Sequence, residues 1–248
     1  MSTRIEHQPS YILHTRPYRD TSLLVDVLTR DHGKLCLVAK GVRGTRKTAN
    51  QQRYLLQAFQ PVLLSWQGKS SLKTLLDIEG TSDSLPFSLQ GNKLYSAMYV
   101  NELLAYLLPQ DDPTDTIFPF YQHLLSQLSH SETPLEPCLR HFEYQLLDEI
   151  GYGINFSEDA DTGDQVQVGN VYFFVQNHGF VLASQHPDIR AVSFTGEVLL
   201  NIAASNFEAQ ETRQAAKQLS RLALQPHLRG RELKSRELFC AMPHNSNR

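Results

Sequence analysis

Cysteine is scarce in this chain of 248 residues, which has only Cys36, Cys138 and Cys240. No CxxC pair is present, and no histidine stands at a spacing that would complete a zinc site with them. The ten histidines also form no HExxH or HxxxH pattern. These absences exclude a disulfide framework and argue against a zinc ribbon. The sequence therefore predicts no metal and no cofactor.

Long apolar runs are missing as well. No stretch approaches the roughly 20 residues that a membrane helix needs, and the first residues, MSTRIEHQPS, lack the apolar core of a signal peptide. Walker A, G-x-S-x-G and paired catalytic carboxylates do not occur in a convincing context. We expect a cytoplasmic protein that contacts no membrane, takes no small-molecule substrate and has no catalytic residues.

Acidic residues are absent between His32 and Leu76, a segment with eight lysines and arginines. The whole chain is segregated in the same way. Residues 1–80 have a formal charge of +6, residues 81–212 of −15 and residues 213–248 of +6, although the total is only −3. A field that attracts a polyanion depends on local charge rather than on the total. The basic segments are therefore candidates for binding nucleic acid.

Five short segments in the first eighty residues alternate between apolar and polar positions, as strands do: SYILHTR, TSLLVDVLT, GKLCLVAK, PVLLSW and SSLKTLLDI. In the last of these, Leu72, Thr74, Leu76 and Ile78 are predicted to face inward. Five antiparallel strands, with a short helix between residues 41 and 57, suit an OB-fold barrel. The fold class is therefore α+β, with an OB-fold domain at residues 1–80 and a mainly helical domain at residues 81–248.

The stretch LVAKGVRGTRKTANQQRY follows the third strand and concentrates positive charge between two glycines. It lacks the Gly before Lys-Thr that a P-loop needs, and its GVRG leaves a strand rather than a helix, unlike the GxxG of a KH domain. A phosphate-backbone clamp remains, beside the plainer alternative of a solvated loop. The predicted DNA contacts are Lys40, Arg43, Arg46 and Lys47, with Arg16, Arg19, Arg53 and Lys73 as weaker candidates.

Three aromatic residues near these cations, Tyr18, Tyr54 and Trp66, are candidates for stacking on bases. Each could instead simply cover the edge of the barrel. In the acidic middle, Arg140 lies on an amphipathic helix. It either pairs with Glu136 or Glu143 or packs against Tyr144, or it receives an incoming carboxylate. Towards the end of the chain, Arg213, Lys217 and Arg221 share one helix face, which is either a solvated surface or a second candidate zone for phosphates. Further cations follow closely, at Arg229, Arg231, Lys234 and Arg236.

Several segments together resemble one known family: ILHTRPYRDTSLLVDVLTRDHGKLCLVAKGVRGTRK, YVNELL, CLRHFEYQLLDEIGYG and LKSRELF. In this order they are similar to the RecO family of bacterial recombination mediators, over nearly the whole chain. The resemblance implies an N-terminal OB-fold, a helical domain and, in many members, an intervening zinc ribbon. The expected cysteines are absent here, and an acidic loop and hairpin at residues 152–190 take the place of the ribbon.

The resemblance also implies a function without bond-breaking chemistry. Family members bind single-stranded DNA (ssDNA) and double-stranded DNA (dsDNA), anneal complementary strands and bind the acidic C-terminal tail of single-stranded DNA-binding protein (SSB). With RecR they help to load the RecA recombinase. On this basis Arg140 is the candidate anchor for the SSB tail. The residues alone leave two alternatives open, an RNA-binding module on the same barrel and an adaptor whose helical part binds partner proteins.

Overall fold

The first half of the chain contains a five-stranded barrel. We analysed a computed structural model that describes residues 4–45, 47–81, 87, 89–130 and 132–240. The strands are β1 (Arg4–Tyr18), β2 (Ser22–Thr29), β3 (Gly33–Ala39), β4 (Pro61–Gln67) and β5 (Leu72–Gly80). Helix α1 (Lys47–Leu55) lies between β3 and β4.

The barrel closes in the strand order β1-β2-β3-β5-β4, with β4 returning to β1. All pairs are antiparallel except β3 with β5, which run in parallel. This order, with a helix between the third and fourth strands, confirms the predicted OB-fold. The barrel interior is filled by aliphatic side chains from all five strands and by Trp66.

The register of β5 corrects one prediction. Pairing with β4 shifts by one residue between Ser65 and Trp66, which is the signature of a β-bulge. Because a shift of one residue exchanges the two faces of a strand, Leu75 packs against the core while Leu72 and Leu76 are exposed. The prediction that Leu72 and Leu76 face inward was therefore wrong, although Ile78 is buried as expected.

Two further helices, α2 (Gly91–Leu107) and α3 (Ile117–Ser129), pack in the same compact unit as the barrel. The Lys34 ammonium of β3 donates hydrogen bonds to the carbonyls of Ala105 (2.6 Å) and Leu104 (3.4 Å) at the end of α2. The Leu104 carbonyl also accepts from the backbone N–H of Leu108, and a cation at the end of a helix is favoured by the helix dipole. Lys34 therefore stabilises the end of α2 from the barrel.

A buried chain of hydrogen bonds joins three elements of this unit. Asn101 of α2 donates to the carbonyl of Leu13 in β1 (2.8 Å) and accepts from the hydroxyl of Tyr121 in α3 (2.6 Å). Burial raises the pKa of Tyr121 well above its usual value, so the hydroxyl stays protonated and donates. Satisfied polar groups of this kind fix the orientation of packed elements.

The last helix, α7 (Lys234–Cys240), belongs to the same unit. The Glu102 carboxylate of α2 accepts from the backbone N–H of Lys234 (2.9 Å) and from both the N–H and the hydroxyl of Ser235. An acidic group at the start of a helix binds its unpaired N–H groups. Glu102 thus holds the end of the described chain against α2.

Residues 132–232 form a second compact unit. It contains α4 (Leu135–Glu149), α5 (Gly196–Ala203) and α6 (Gln210–Leu224), with a small sheet of β6 (Val171–Val175), β7 (Gly179–Leu182) and β8 (Ser193–Thr195). The sheet order is β7-β6-β8, and β6 and β7 form the predicted hairpin. Its core is aromatic, with Tyr172, Phe180 and Phe194 buried.

Packing divides the chain at other positions than the sequence suggested. The first unit comprises the described residues up to 130 together with residues 233–240, so α2, α3 and α7 group with the barrel. The assignment of residues 81–248 to one helical domain stays a prediction. Among the described helices, none is both long and apolar enough to cross a membrane.

Two glycines of the barrel provide a test of its tight packing. Gly33 has a φ of +64°, and a Cβ there would overlap the carbonyl oxygen of Asp112, whereas Gly41 has a φ of +74° with open space around it. Gly33→Ala should therefore lower the free energy of unfolding by about 3 kcal/mol, from left-handed backbone strain plus steric overlap. Gly41→Ala should cost only about 1 kcal/mol. Urea denaturation of both variants measures the difference, and equal losses would contradict the packing at Gly33.

Candidate nucleic-acid interface

Two loops of the barrel meet at one end. The β1–β2 turn (residues 19–21) and the described part of the β3–α1 loop (residues 40–45) are joined by Arg43, whose backbone N–H donates to the carbonyl of Thr21 (2.9 Å). The Arg43 guanidinium donates to the carbonyl of Arg19 (3.1 Å). We call residues 19–21 and 40–45 the paired loops. The structure thus brings Arg19, Lys40 and Arg43 into one local region.

Arg53, in the last turn of α1, reaches back to the paired loops. Its Nε and Nη2 atoms donate to the carbonyl of Val42 (3.2 and 3.0 Å), and Nη2 also donates to the carbonyl of Gly44 (3.2 Å). The Val42 side chain is buried in the barrel core. The loop is therefore held from two sides, by its apolar side chain and by its carbonyls.

Exposed positive charge remains on the paired loops. Lys40 is exposed and makes no ion pair or hydrogen bond through its side chain with any other described residue. Arg19 is also exposed, and its guanidinium lies 5.2 Å from the centre of the Tyr18 ring, within cation–π range. Arg46 lies outside the described residues, as does the side chain of Lys47. Their predicted contacts with DNA remain predictions.

The three aromatic candidates have different surroundings. Trp66 is only 2% exposed, in the barrel core, with its ring edge-to-face with His32 at 5.4 Å. Stacking of Trp66 on a base is therefore excluded by burial. Tyr54 is 57% exposed, and Tyr18 is half-buried beneath Arg19. Of the three candidates, Tyr18 and Tyr54 are therefore the two whose rings a base could reach.

Two of the weaker cationic candidates already have acidic partners. Arg16 pairs with Asp26 on the neighbouring strand (Nη1–Oδ2, 3.3 Å). Lys73 pairs with Asp111, and its side chain is only 11% exposed. The bulge in β5 explains this burial, because it puts Lys73 on the same face as the core residue Leu75. A phosphate would have to compete with Asp111 for this ammonium.

The three tail candidates on α6 also differ from one another. The Arg213 guanidinium donates to the carbonyls of Phe207 and Glu208, the loop before the helix. Lys217 pairs with Glu136 on α4 (3.3 Å), with both side chains about half exposed. Arg221 is exposed and makes no ion pair with any described residue. Of the three, Arg221 alone offers an exposed cation without such a partner in the described structure.

Arg140 lies on the buried side of α4. Its Nη2 atom donates to the Glu143 carboxylate (2.8 Å), and the two side chains are 8% and 0% exposed. This is the helical pair that the sequence left open as an alternative. No described residue accepts a hydrogen bond from Arg140 Nε. An incoming carboxylate at Arg140 would have to reach a buried guanidinium that is already paired.

The acidic loop before the hairpin is organised by local hydrogen bonds. Asp159 accepts from the backbone N–H groups of Asp161, Thr162 and Leu182. Asp161 contacts His178 (2.6 Å) and His186 (2.7 Å), and the hydrogen bond with His178 is the main cause of its lowered pKa. Among the described residues, no group of His, Cys, Asp and Glu is placed to hold a metal ion.

Neither the joining of the two loops nor the grouping of α7 with the barrel was predictable from the sequence. Nothing in the spacing of residues 21 and 43 indicated that their backbones meet, because the contact depends on the barrel register. Lys234 and Arg236 on α7 are exposed and belong to the same unit as the barrel. The Glu102 contacts that hold α7 in this unit involve backbone N–H groups, which leave no sequence motif.

Comparison with known proteins gives the family. The model for Recombination protein O N terminal matches residues 1–83, and that for Recombination protein O C terminal matches residues 88–237. The chain belongs to the RecO family. DNA repair protein RecO of Cellvibrio japonicus is 45% identical to it over 242 residues, which cover 97% of this chain and 100% of that protein.

Other RecO proteins are similarly related to this chain. DNA repair protein RecO of Vibrio parahaemolyticus is 41% identical over 95% of this chain and 93% of its own length. The protein of the same name from Haemophilus influenzae strain Rd is 42% identical over 94% of this chain and 95% of its own length. The barrel with its paired loops lies within the match to the N-terminal RecO region.

The buried ion pair of α4 gives a prediction about stability. Arg140→Met removes the cation and leaves the Glu143 carboxylate in a buried site, which should cost about 3–5 kcal/mol of unfolding free energy. In the double variant Arg140→Met/Glu143→Leu both charges are gone, and most of the loss should be recovered. Thermal unfolding of the two variants and of Glu143→Leu measures this coupling. Additive losses would show that Arg140 and Glu143 do not stabilise each other.

Proposed function

We propose that this RecO family protein is a DNA-binding recombination mediator without enzymatic activity. It binds ssDNA and dsDNA, anneals complementary strands, engages SSB and acts with RecR to load RecA on SSB-coated ssDNA. Such a role belongs in the bacterial cytoplasm, at the nucleoid. Membership of a DNA repair family supports the general role, and the paired loops supply the physical basis for DNA contact.

One observation supports the proposal most strongly, the concentration of exposed cations on the paired loops. Lys40, Arg43 and Arg19 lie on two loops that hydrogen bonds join, and the sequence around the third strand has no acidic residue from position 32 to 76. Phosphates are bound by such groups independently of base sequence. We place the main DNA contact here, with Arg46 and Lys47 continuing the loop.

Backbone contact also accounts for annealing. A protein that holds a strand by its phosphates leaves the base edges free to pair with a complementary strand. The described barrel supports this, because Trp66 is buried and cannot stack on a base. The exposed ring of Tyr54 is the most accessible stacking surface on α1. Arg16, Arg53 and Lys73 have partners within the protein, so we assign them a lesser share of phosphate contact. Arg213, Lys217 and Arg221 are a secondary zone.

The DNA assignment predicts the salt dependence of binding. Each phosphate contact on ssDNA contributes about 0.7 to the slope of log K against log salt concentration. Lys40→Ala/Arg43→Ala should therefore flatten the slope by about 1.4 and weaken binding at least tenfold at moderate salt. Fluorescence anisotropy of a labelled oligonucleotide across a salt series gives both quantities. The quadruple variant that adds Arg46→Ala and Lys47→Ala should flatten the slope further.

A matched control removes the same charge from the same barrel. Arg4 pairs with Glu6 and Arg30 pairs with Asp31, both on the surface. Arg4→Ala/Arg30→Ala should leave the salt slope near that of the wild type. If both double variants flatten the slope equally, net charge rather than the paired loops determines binding, and the assignment fails.

For the SSB tail we retain Arg140 as the proposed anchor, with a test adapted to its ion pair. Arg140→Glu would place two carboxylates together in a buried site, so loss of binding could reflect unfolding. Arg140→Met/Glu143→Leu avoids this problem. If Arg140 anchors the tail, this variant should bind an SSB-tail peptide at least tenfold more weakly and ssDNA with unchanged affinity. Wild-type affinity for the peptide would move the tail site elsewhere.

RNA binding is the second candidate, because the same cations contact the phosphates of either polymer. The name of the relatives, DNA repair protein RecO, favours DNA. Competition between matched DNA and RNA oligonucleotides distinguishes the two. An adaptor role without DNA contact would be indicated if the wild type bound neither polymer at low salt.

A further inference from the structure

We propose that Arg53 is a positioning residue for DNA binding, which holds the β3–α1 loop in the shape that presents Lys40 and Arg43 to phosphates. This role rests on the proposed function of the paired loops. It differs from the direct phosphate contact that the sequence suggested, because Arg53 then acts through the loop.

The hydrogen bonds of Arg53 support this role. Arginine binds a phosphate most strongly when two N–H groups donate side by side. In Arg53 the edge formed by Nε and Nη2 is already occupied, since both atoms donate to the carbonyl of Val42 and Nη2 also donates to that of Gly44. A bidentate phosphate contact through this edge would require the loop to be released.

The two carbonyls that Arg53 holds flank a single residue, Arg43. Val42 precedes it with a buried side chain, and Gly44 follows it with its N–H donating to the carbonyl of Gly41 (3.2 Å). The backbone on both sides of Arg43 is therefore fixed by α1. Arg43 in turn binds the β1–β2 turn at Arg19 and Thr21, so Arg53 stabilises the paired loops as a whole.

Holding a loop in its binding shape improves affinity without adding a contact, because less conformational freedom is lost on binding. A lysine at position 53 keeps the charge but is a single point donor that cannot reproduce the fork of a guanidinium. The two roles consequently predict different behaviour for Arg53→Lys. A direct phosphate contact keeps its contribution to the salt slope with lysine and loses it with glutamine, whereas a loop support loses affinity with both and changes the slope with neither.

The test measures ssDNA binding by wild type, Arg53→Lys and Arg53→Gln over a salt series, with Arg30→Lys and Arg30→Gln as controls on another exposed arginine. For a positioning role, both Arg53 variants should bind five- to tenfold more weakly with the wild-type salt slope. The Arg30 variants should bind as the wild type does. The positioning role is overturned if Arg53→Lys keeps wild-type affinity while Arg53→Gln loses about 0.7 in slope.

Amide hydrogen exchange of the DNA-free proteins provides the second measurement. Both Arg53 variants should exchange faster at residues 41–45, with the rest of the barrel and the melting temperature unchanged. Faster exchange throughout the barrel would make Arg53 a general stabiliser and overturn the proposal. If the wild type binds no oligonucleotide, the proposed function fails and the role of Arg53 in DNA binding fails with it. Wild-type binding with unaffected Arg53 variants overturns the positioning role alone.

Discussion

The parallel pairing of β3 with β5 closes the barrel, and the candidate interface depends on that closure. The register aligns Cys36 with Leu72 and Val38 with Thr74, which fixes the exit of β3 relative to the other strands. Pairing of β2 with β3 in turn places Leu23 beside Ala39, so the start of β2 and the end of β3 lie together. The β1–β2 turn and the β3–α1 loop are then adjacent, and Arg43 can join them.

Closure also explains why the cations of the barrel have different roles. Arginines and lysines on the strands meet acidic groups or carbonyls, as Arg16 meets Asp26 and Lys34 meets the end of α2. Those on the paired loops are exposed and have no acidic partner among the described residues, although Arg43 also donates to the carbonyl of Arg19. The cost of keeping a charge is small in such a position. A cation that already has a partner gains less from a phosphate, because the existing contact must be broken. The location of each cation in the fold is therefore a better guide to its availability for a phosphate than the count of cations in the segment.

The sequence predicted the OB-fold, α1 and the β6–β7 hairpin, because alternation, periodicity and turn residues are local signals. The same alternation indicates that Trp66 is buried, because Trp66 shares a strand face with Val62 and Leu64. The exposed positions of Leu72 and Leu76 were not predictable in this way, because a bulge in the pairing with β4 exchanges the faces of β5.

The burial of the α4 ion pair and the contacts between residues distant in sequence were also not predictable from the sequence. Spacing along α4 allowed Arg140 to pair with Glu143 or to remain available, and only the burial of both side chains separates these alternatives. The link between Arg43 and Thr21 and the contact of Glu102 with α7 involve backbone groups. Every residue has such groups, so no residue type in the sequence marks these contacts.

The net charge of −3 is a poor guide to the affinity of this protein for a polyanion, because most of its acidic residues lie in residues 81–212 and several of those near the barrel have local partners. Within the barrel, Glu6, Asp26, Asp31 and Glu79 pair with Arg4, Arg16, Arg30 and His7. In the following helices, Glu102 binds N–H groups of α7 and Asp111 binds Lys73. A carboxylate paired with a lysine or arginine in this way contributes little field at a distance, since the charges of a close pair cancel and salt screens the remainder. The cations of the paired loops are not cancelled by any of these pairs. We therefore base the proposed phosphate contact on the local excess of exposed cations rather than on the total charge.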